Sequence, residues 1–156
     1  MIKKIVVAAI ALSVLGACSN NSLTGSGGSG ADYSTAKPGT SQDFVQNVGD
    51  RVFFALNSSS VNAQGRDTLA KQAQWLKLYP KVKITLEGHS DERGTRDYNI
   101  ALGARRAQAA KNILISHGVA PSRIKTVSYG KERPIKLGET ENAWSLNRRA
   151  VSVPNM

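Results

Sequence analysis

Five side chains between positions 91 and 106 offer complementary chemistry at a spacing that brings them together. Asp91 stands in the polar stretch Gly88-His89-Ser90-Asp91-Glu92-Arg93-Gly94, and Thr95, Asn99, Leu102 and Arg106 follow it at the i, i+4, i+7 and i+11 positions of a helix. That spacing puts the four on one helical face, beside the loop that holds Asp91. A carboxylate, an amide, a planar guanidinium and the free N–H groups of a helix start then share one concavity. Arginine grips a carboxylate through two parallel hydrogen bonds, aspartate accepts from an ammonium, and a helix N-terminus favours negative charge. The set suits a zwitterion, an amino-acid end bearing both charges. The spacing of Asp91 and Arg106 equally suits a structural ion pair between the two.

Other reactive types are poorly placed. His89 has only His117 as a fellow histidine, at the far end of a helix, and residues 43–156 contain no cysteine. A zinc site would need an unusual all-carboxylate partner set, so His89 is expected to be structural and no metal or cofactor is expected. Ser90 between His89 and Asp91 imitates a catalytic triad in composition only, because sequence neighbours rarely converge in the needed geometry. Arg105 lies about 100° around the helix from Arg106 and reads as solvated or paired elsewhere. Asn147, Arg148 and Arg149 are expected to stabilise the last strand and its loop, and Trp75 and Trp144 to lie in or at the edge of the core.

The elements that must position these groups alternate in type. Residues 51–56 form a short apolar run bounded by turn residues, a buried strand. Leu69, Ala73 and Leu76 mark a helix over 63–79 that Pro80 ends. Val82, Ile84 and Leu86 alternate with polar residues up to Gly88, which predicts a half-buried strand. A second helix is expected over 95–117, stopped by Gly118, then a strand over 124–129, a helical turn over 141–146 and a last strand over 148–153. The order β-α-β-α-β-(α)-β implies an α/β fold, helices packed on one mixed sheet.

The 156 residues carry 21 Lys and Arg against 11 Asp and Glu, a formal charge of +10. One domain is the expectation at this length. The charge favours polyanions without choosing among them. Lys3 and Lys4 precede an apolar run of 13 residues, positions 5–17, too short for a bilayer span of about 20. Residues 1–17 therefore read as a secretory signal peptide, which removes the chain from cytosolic nucleic acid. The sole cysteine, Cys18, follows Leu15-Gly16-Ala17 and matches a bacterial lipobox, in which the thiol is diacylated and the freed amine acylated. Several acyl chains anchor stably where one binds only marginally. Ser19 follows, where lipoproteins retained at the inner membrane usually carry Asp, which implies the outer membrane. From 19 to 42, 11 of 24 residues are Gly or Ser. Residues 18–42 are thus expected to form a flexible tether of about 27 Å r.m.s. span, leading to a folded domain over 43–156.

Gly88-His89-Ser90-Asp91, Gly94, Asn99, Leu102 and Arg106-Ala107, with Asn147-Arg148-Arg149 near the end, resemble the OmpA-like peptidoglycan-binding domain family over residues 48–153. The stretches 88–95 and 127–134 are most similar to its acylated, tethered members. The resemblance implies an α+β sandwich in which meso-diaminopimelate of the stem peptide sits between Asp91 and Arg106, with Thr95, Asn99 and Leu102 on the pocket wall. Many members carry Phe-Asp after the first strand, where this chain has Leu56-Asn57; Asn57 still offers hydrogen bonds but no negative charge. The resemblance further implies a non-enzymatic role facing the periplasm, with peptidoglycan, TolB and the other Tol–Pal components as partners, in envelope integrity and constriction at division. A cell-wall hydrolase is the alternative; its best acidic cluster, Glu87, Asp91 and Glu92, lacks an obvious catalytic partner.

Overall fold

The computed structural model describes residues 36–156. The expected signal peptide, Cys18 and the tether as far as residue 35 lie outside the described residues. The folded chain starts earlier than residue 43. Helix α1, Ser41–Asp43, continues as a π-helical turn, Phe44–Val48. Thr40 caps it, Oγ1 accepting from the Asp43 N–H at 3.2 Å. Asp43 accepts from Gly39 N–H at 2.9 Å and from the Trp75 indole at 2.8 Å, and Ala36 is buried. The boundary expected at 42/43 is therefore corrected: composition marks a tether up to Gln42, but a cap and a buried carboxylate draw 36–42 onto the domain.

Four strands form one mixed sheet in the order β1-β4-β2-β3: β1 Arg51–Phe53, β2 Lys83–His89, β3 Ile124–Gly130 and β4 Arg149–Asn155. β4 lies antiparallel to both β1 and β2, while β2 and β3 run parallel. A parallel pair needs a long crossover, supplied by helix α3, Arg96–Ser116. Ile84 and Leu86 of β2 are fully buried under α3 and helix α2, Ala63–Leu78. On α2 the buried Leu69, Gln72, Ala73 and Leu76 follow helical periodicity and present a single face to the core.

Helix caps match their residues. Asn62 Oδ1 accepts from Gly65 N–H at 2.8 Å, and Thr95 Oγ1 accepts from Tyr98 N–H at 3.3 Å, each offsetting an orphan donor of the first turn. Gly118, with φ of 89°, turns the chain after α3. The first strand ends three residues sooner than expected. Phe54 still donates to Arg148 O at 2.9 Å, but Asn57 adopts φ of 52° and the chain leaves the sheet. Arg148 is likewise not strand but the C-cap of helix α4, Glu141–Asn147.

α3 approaches the sheet closely because Gly88 faces Gly103. A Cβ on Gly88 would stand 1.8 Å from Gly103 O. The domain therefore has two distinct ends. The carboxyl ends of β2 and β3, the start of α3 and helix α4 meet at one. The chain's entry near Ala36 and the C-terminal ends of α2 and α3 meet at the other, where Arg123 donates to Leu76 O, Tyr79 O and Val82 O at 2.6–2.9 Å.

Candidate functional site

The loop from Ser90 to Thr95 lies at the carboxyl end of β2, where open α/β sheets commonly hold ligands. Asp91 is 5% exposed. Its Oδ1 accepts from Arg93 N–H at 3.2 Å, and its Oδ2 from Arg93 Nη2 at 2.6 Å and Arg148 Nη1 at 3.3 Å. Burial pushes the Asp91 carboxyl up, but the hydrogen bonds from Arg93 and Arg148 outweigh it and hold the group below the usual carboxylate range. Arg148 also donates to Phe54 O at 3.0 Å and pairs with Glu141.

Arg106 is fully buried. It makes no ion pair among the described residues. Its Nε donates to Ser58 O at 2.9 Å, Nη1 to His89 O at 2.7 Å and Nη2 to Ala55 O at 3.1 Å. Burial lowers its pKa to about 10, with the Asp91 charge pulling the other way. The structural-pair alternative for Asp91 and Arg106 is therefore overturned: each has other partners.

Asn99, 1% exposed, donates to Arg93 O at 2.9 Å and Thr95 O at 3.0 Å and so shapes the loop. Leu102 is buried. Thr95 is the α3 cap, and Asn57 Oδ1 accepts from the Tyr98 hydroxyl at 3.4 Å. A groove of about 340 Å³ is lined by Leu56, Asn57, Arg93, Gly94 and Tyr98, of which Arg93 pairs with Asp91. A second groove of about 350 Å³, reached past Ala55, is lined by Phe53, Phe54, Asn62, Ser145 and Leu146 and carries no charged side chain.

The sequence-predicted residues thus split. Leu102 and the fully buried Arg106 lie inside the domain, whereas Asp91 is held by the lining residue Arg93, Asn99 bonds the Arg93 carbonyl and Asn57 lines the groove. Leu56, Arg93 and Tyr98 line it without having been singled out from the sequence. Arg93 and Leu56 stood inside the motifs, and Tyr98 follows Thr95 by three; Arg148, expected to support the last strand, also reaches Asp91, 57 positions away. The Arg93 guanidinium carbon lies over the Trp144 ring at 3.9 Å, and the Trp144 indole donates to Glu92 at 2.8 Å.

The neighbouring residues behave as supports. Asn147 Oδ1 accepts from Ile135 and Lys136 N–H at 2.9 and 3.2 Å, fixing the loop before α4. Arg149 donates to Arg133 O at 3.1 Å. His89 is 2% exposed, and neither ring nitrogen has a hydrogen-bond partner among the described residues. Burial first, then the Arg149 and Arg133 charges, push its pKa down to about 4. Among the described residues no group of three His, Cys, Asp or Glu is placed to hold a metal ion.

Fold and groove define a two-layer α/β domain with a charged cleft at the ends of its parallel strands. A family model described as the OmpA family matches residues 53–148. The peptidoglycan-associated lipoprotein of Brucella melitensis is 52% identical over 147 residues, covering 94% of this chain and 88% of that one. That of Agrobacterium fabrum is 56% identical over 129 residues, covering 83% and 71%. A crystal structure of the peptidoglycan-associated lipoprotein from Burkholderia pseudomallei superposes with a TM-score of 0.70 at 38% identity, covering 74% of this chain and all of that one. The chain belongs to the OmpA family and, within it, to the peptidoglycan-associated lipoproteins.

Proposed function

We propose that the chain is an outer-membrane lipoprotein, anchored through Cys18, whose periplasmic domain grips peptidoglycan non-covalently and without catalysis. The ligand group is the zwitterionic end of diaminopimelate in a stem peptide. Its ammonium goes to Asp91, displacing Arg93, and its carboxylate is drawn towards Arg106, with Asn57 and Tyr98 closing the groove. One observation carries this reading. Arg106 is a buried cation bonded to three carbonyls and to no carboxylate among the described residues, so its charge attracts an anion from outside. The lipoproteins of similar sequence are named for association with peptidoglycan, and the lipobox around Cys18 supplies the anchor.

Binding is favoured over hydrolysis by the state of Asp91. A general acid needs a raised pKa, whereas two guanidiniums hold this carboxyl ionised. TolB and the other Tol–Pal components complete the proposal as partners in envelope integrity and constriction at division.

Sacculi that contain or lack diaminopimelate test the site in a pull-down. Asp91→Asn and Arg106→Lys each keep the side-chain size or charge while removing the ionic acceptor or the planar fork. Both variants are expected to stay folded and to lose retention on diaminopimelate sacculi. Losing one partner of a desolvated charge contact costs about 2–5 kcal/mol. A folded Arg106→Lys protein that binds like the parent would remove Arg106 from the site, and equal binding to sacculi lacking diaminopimelate would overturn the ligand.

A further inference from the structure

The end of the domain opposite the groove is lysine-rich and carries no exposed Asp or Glu side chain. Lys37, Lys77, Lys81, Lys83 and Lys125 are all exposed there. Contacts bring them together. Gly39 packs against the Tyr79 ring, Gly118 at the end of α3 faces the Lys77 side chain, and Arg123 ties the 121–123 turn to the end of α2. Lys125 is paired across the sheet with Thr85, two residues from Lys83. The segments 36–43, 75–83, 111–126 and 153–156 contain no Asp or Glu except Asp43, which is buried against Trp75. The groove end mixes both signs: Asp91, Glu92, Asp97, Glu132, Glu139 and Glu141 stand among Arg93, Arg96, Lys131, Arg133, Lys136 and Arg148. Amid the lysines Leu78 is 73% exposed, beside a shallow apolar groove of about 240 Å³ formed with Tyr79, Pro80, Lys81 and Val82.

The chain enters the domain at this same end, and only 18 positions separate Ala36 from Cys18. A coil of that length has an r.m.s. span of about 23 Å. Resting on the anchored-lipoprotein reading, we infer that the lysine end docks on anionic phospholipid headgroups of the membrane that holds the chain's own acylated N-terminus, with Leu78 entering the headgroup layer. Lysines near such a surface attract its negative potential, and an exposed leucine among them adds apolar burial. The tether raises the local concentration of the surface, so weak attraction suffices. Docked this way, the domain presents Asp91 and its groove away from the membrane.

The test uses the full acylated chain in vesicles. Cys18 is the sole cysteine and is blocked by lipid, so Leu78→Cys accepts an environment-sensitive nitrobenzoxadiazole label at one place; Leu137→Cys, at an exposed position of the groove end, is the control. In vesicles containing phosphatidylglycerol the label at 78 is expected to brighten and shift to the blue, and in pure phosphatidylcholine to do neither. About 1 M salt, which cuts the Debye length to about 3 Å, reverses the shift. Each of Lys81→Gln, Lys83→Gln and Lys125→Gln should weaken docking about fivefold, the equivalent of about 1 kcal/mol per lysine. An anchored chain whose label at 78 ignores phosphatidylglycerol, or whose control at 137 responds equally, would overturn the docking alone. A response to added sacculi in place of vesicles would assign the lysines to wall polymer and overturn it too. A chain that fails to float with vesicles of any composition would overturn the anchor reading and the inference with it.

Discussion

Asp91, in the loop after β2, and Arg106, on α3, are not bonded to each other: the carboxylate takes Arg93 and Arg148, and the guanidinium takes three backbone carbonyls. The opposite charges therefore do not cancel through a direct bond, although the Asp91 charge pulls the Arg106 pKa up against burial.

Removing Arg106 therefore acts first on the backbone. Arg106→Ala orphans the carbonyls of Ala55, Ser58 and His89, at about 1–3 kcal/mol for each that stays dry. Melting temperature should fall sharply, with Arg106→Lys intermediate. Arg148→Ala should also cost about 3 kcal/mol, since it strips Asp91, Phe54 O and Glu141 of a buried partner. Arg93→Ala, with a side chain 34% exposed, should cost about 1 kcal/mol or less. Thermal unfolding of the four proteins checks the ranking; an Arg93→Ala loss equal to that of Arg148→Ala would contradict it.

His89 makes stability depend on mild acid. Its folded-state pKa of about 4 lies below the ordinary 6.5, so the unfolded chain takes the proton more readily. Stability is then intact above pH 6.5 and declines as the pH falls from 6.5 towards 4. The loss at pH 5 is on the order of 2 kcal/mol, before most carboxylates titrate. Urea unfolding at pH 7.5 and 5 should show this difference, and His89→Phe, which keeps a ring against Tyr129, should shrink it.

The contact of α3 with the sheet tolerates no added carbon. Gly88→Ala puts a Cβ 1.8 Å from Gly103 O, and Gly103→Ala puts one 2.8 Å from Gly88 O and 2.3 Å from Ser128 Oγ. Ser128 can turn aside, but the backbone oxygens cannot. Overpacking commonly costs about 1–3 kcal/mol; Gly88→Ala should exceed Gly103→Ala, measured by denaturant midpoint.

A domain cut at residue 43 should be less stable than one cut at residue 34. It loses the Thr40 cap, the Gly39 bond to Asp43 and the buried Ala36, together about 1–2 kcal/mol. Equal midpoints for the two truncations would show that these residues contribute no stability.

Periodicity made α2, β2 and α3 readable, because a helix face and an alternating strand are written in consecutive residues. The candidate residues were readable for the same reason: Asp91, Asn99 and Arg106 fall on one loop and one helix. What holds them was not. The partners of Arg106 are main-chain carbonyls 17, 48 and 51 positions upstream, and carbonyls leave no mark on side-chain pattern. Arg148 reaches Asp91 across 57 positions, and its charge reads like that of any basic residue near a strand. Residues 36–42 look like tether because Gly, Ser and Thr dominate turns and caps alike; only the bond of Asp43 to Trp75, 32 positions on, distinguishes the two.

The chain enters at one end of the sheet and the groove opens at the other, so a pull between them runs along the strands. Ladder hydrogen bonds lie across that direction. In the pairing of β2 with β4, which joins Lys83 to Asn155 and Gly88 to Ala150, they would be loaded together in shear rather than peeled apart one at a time. Under the proposed anchor and grip, the strands of the sheet would lie in line with the load.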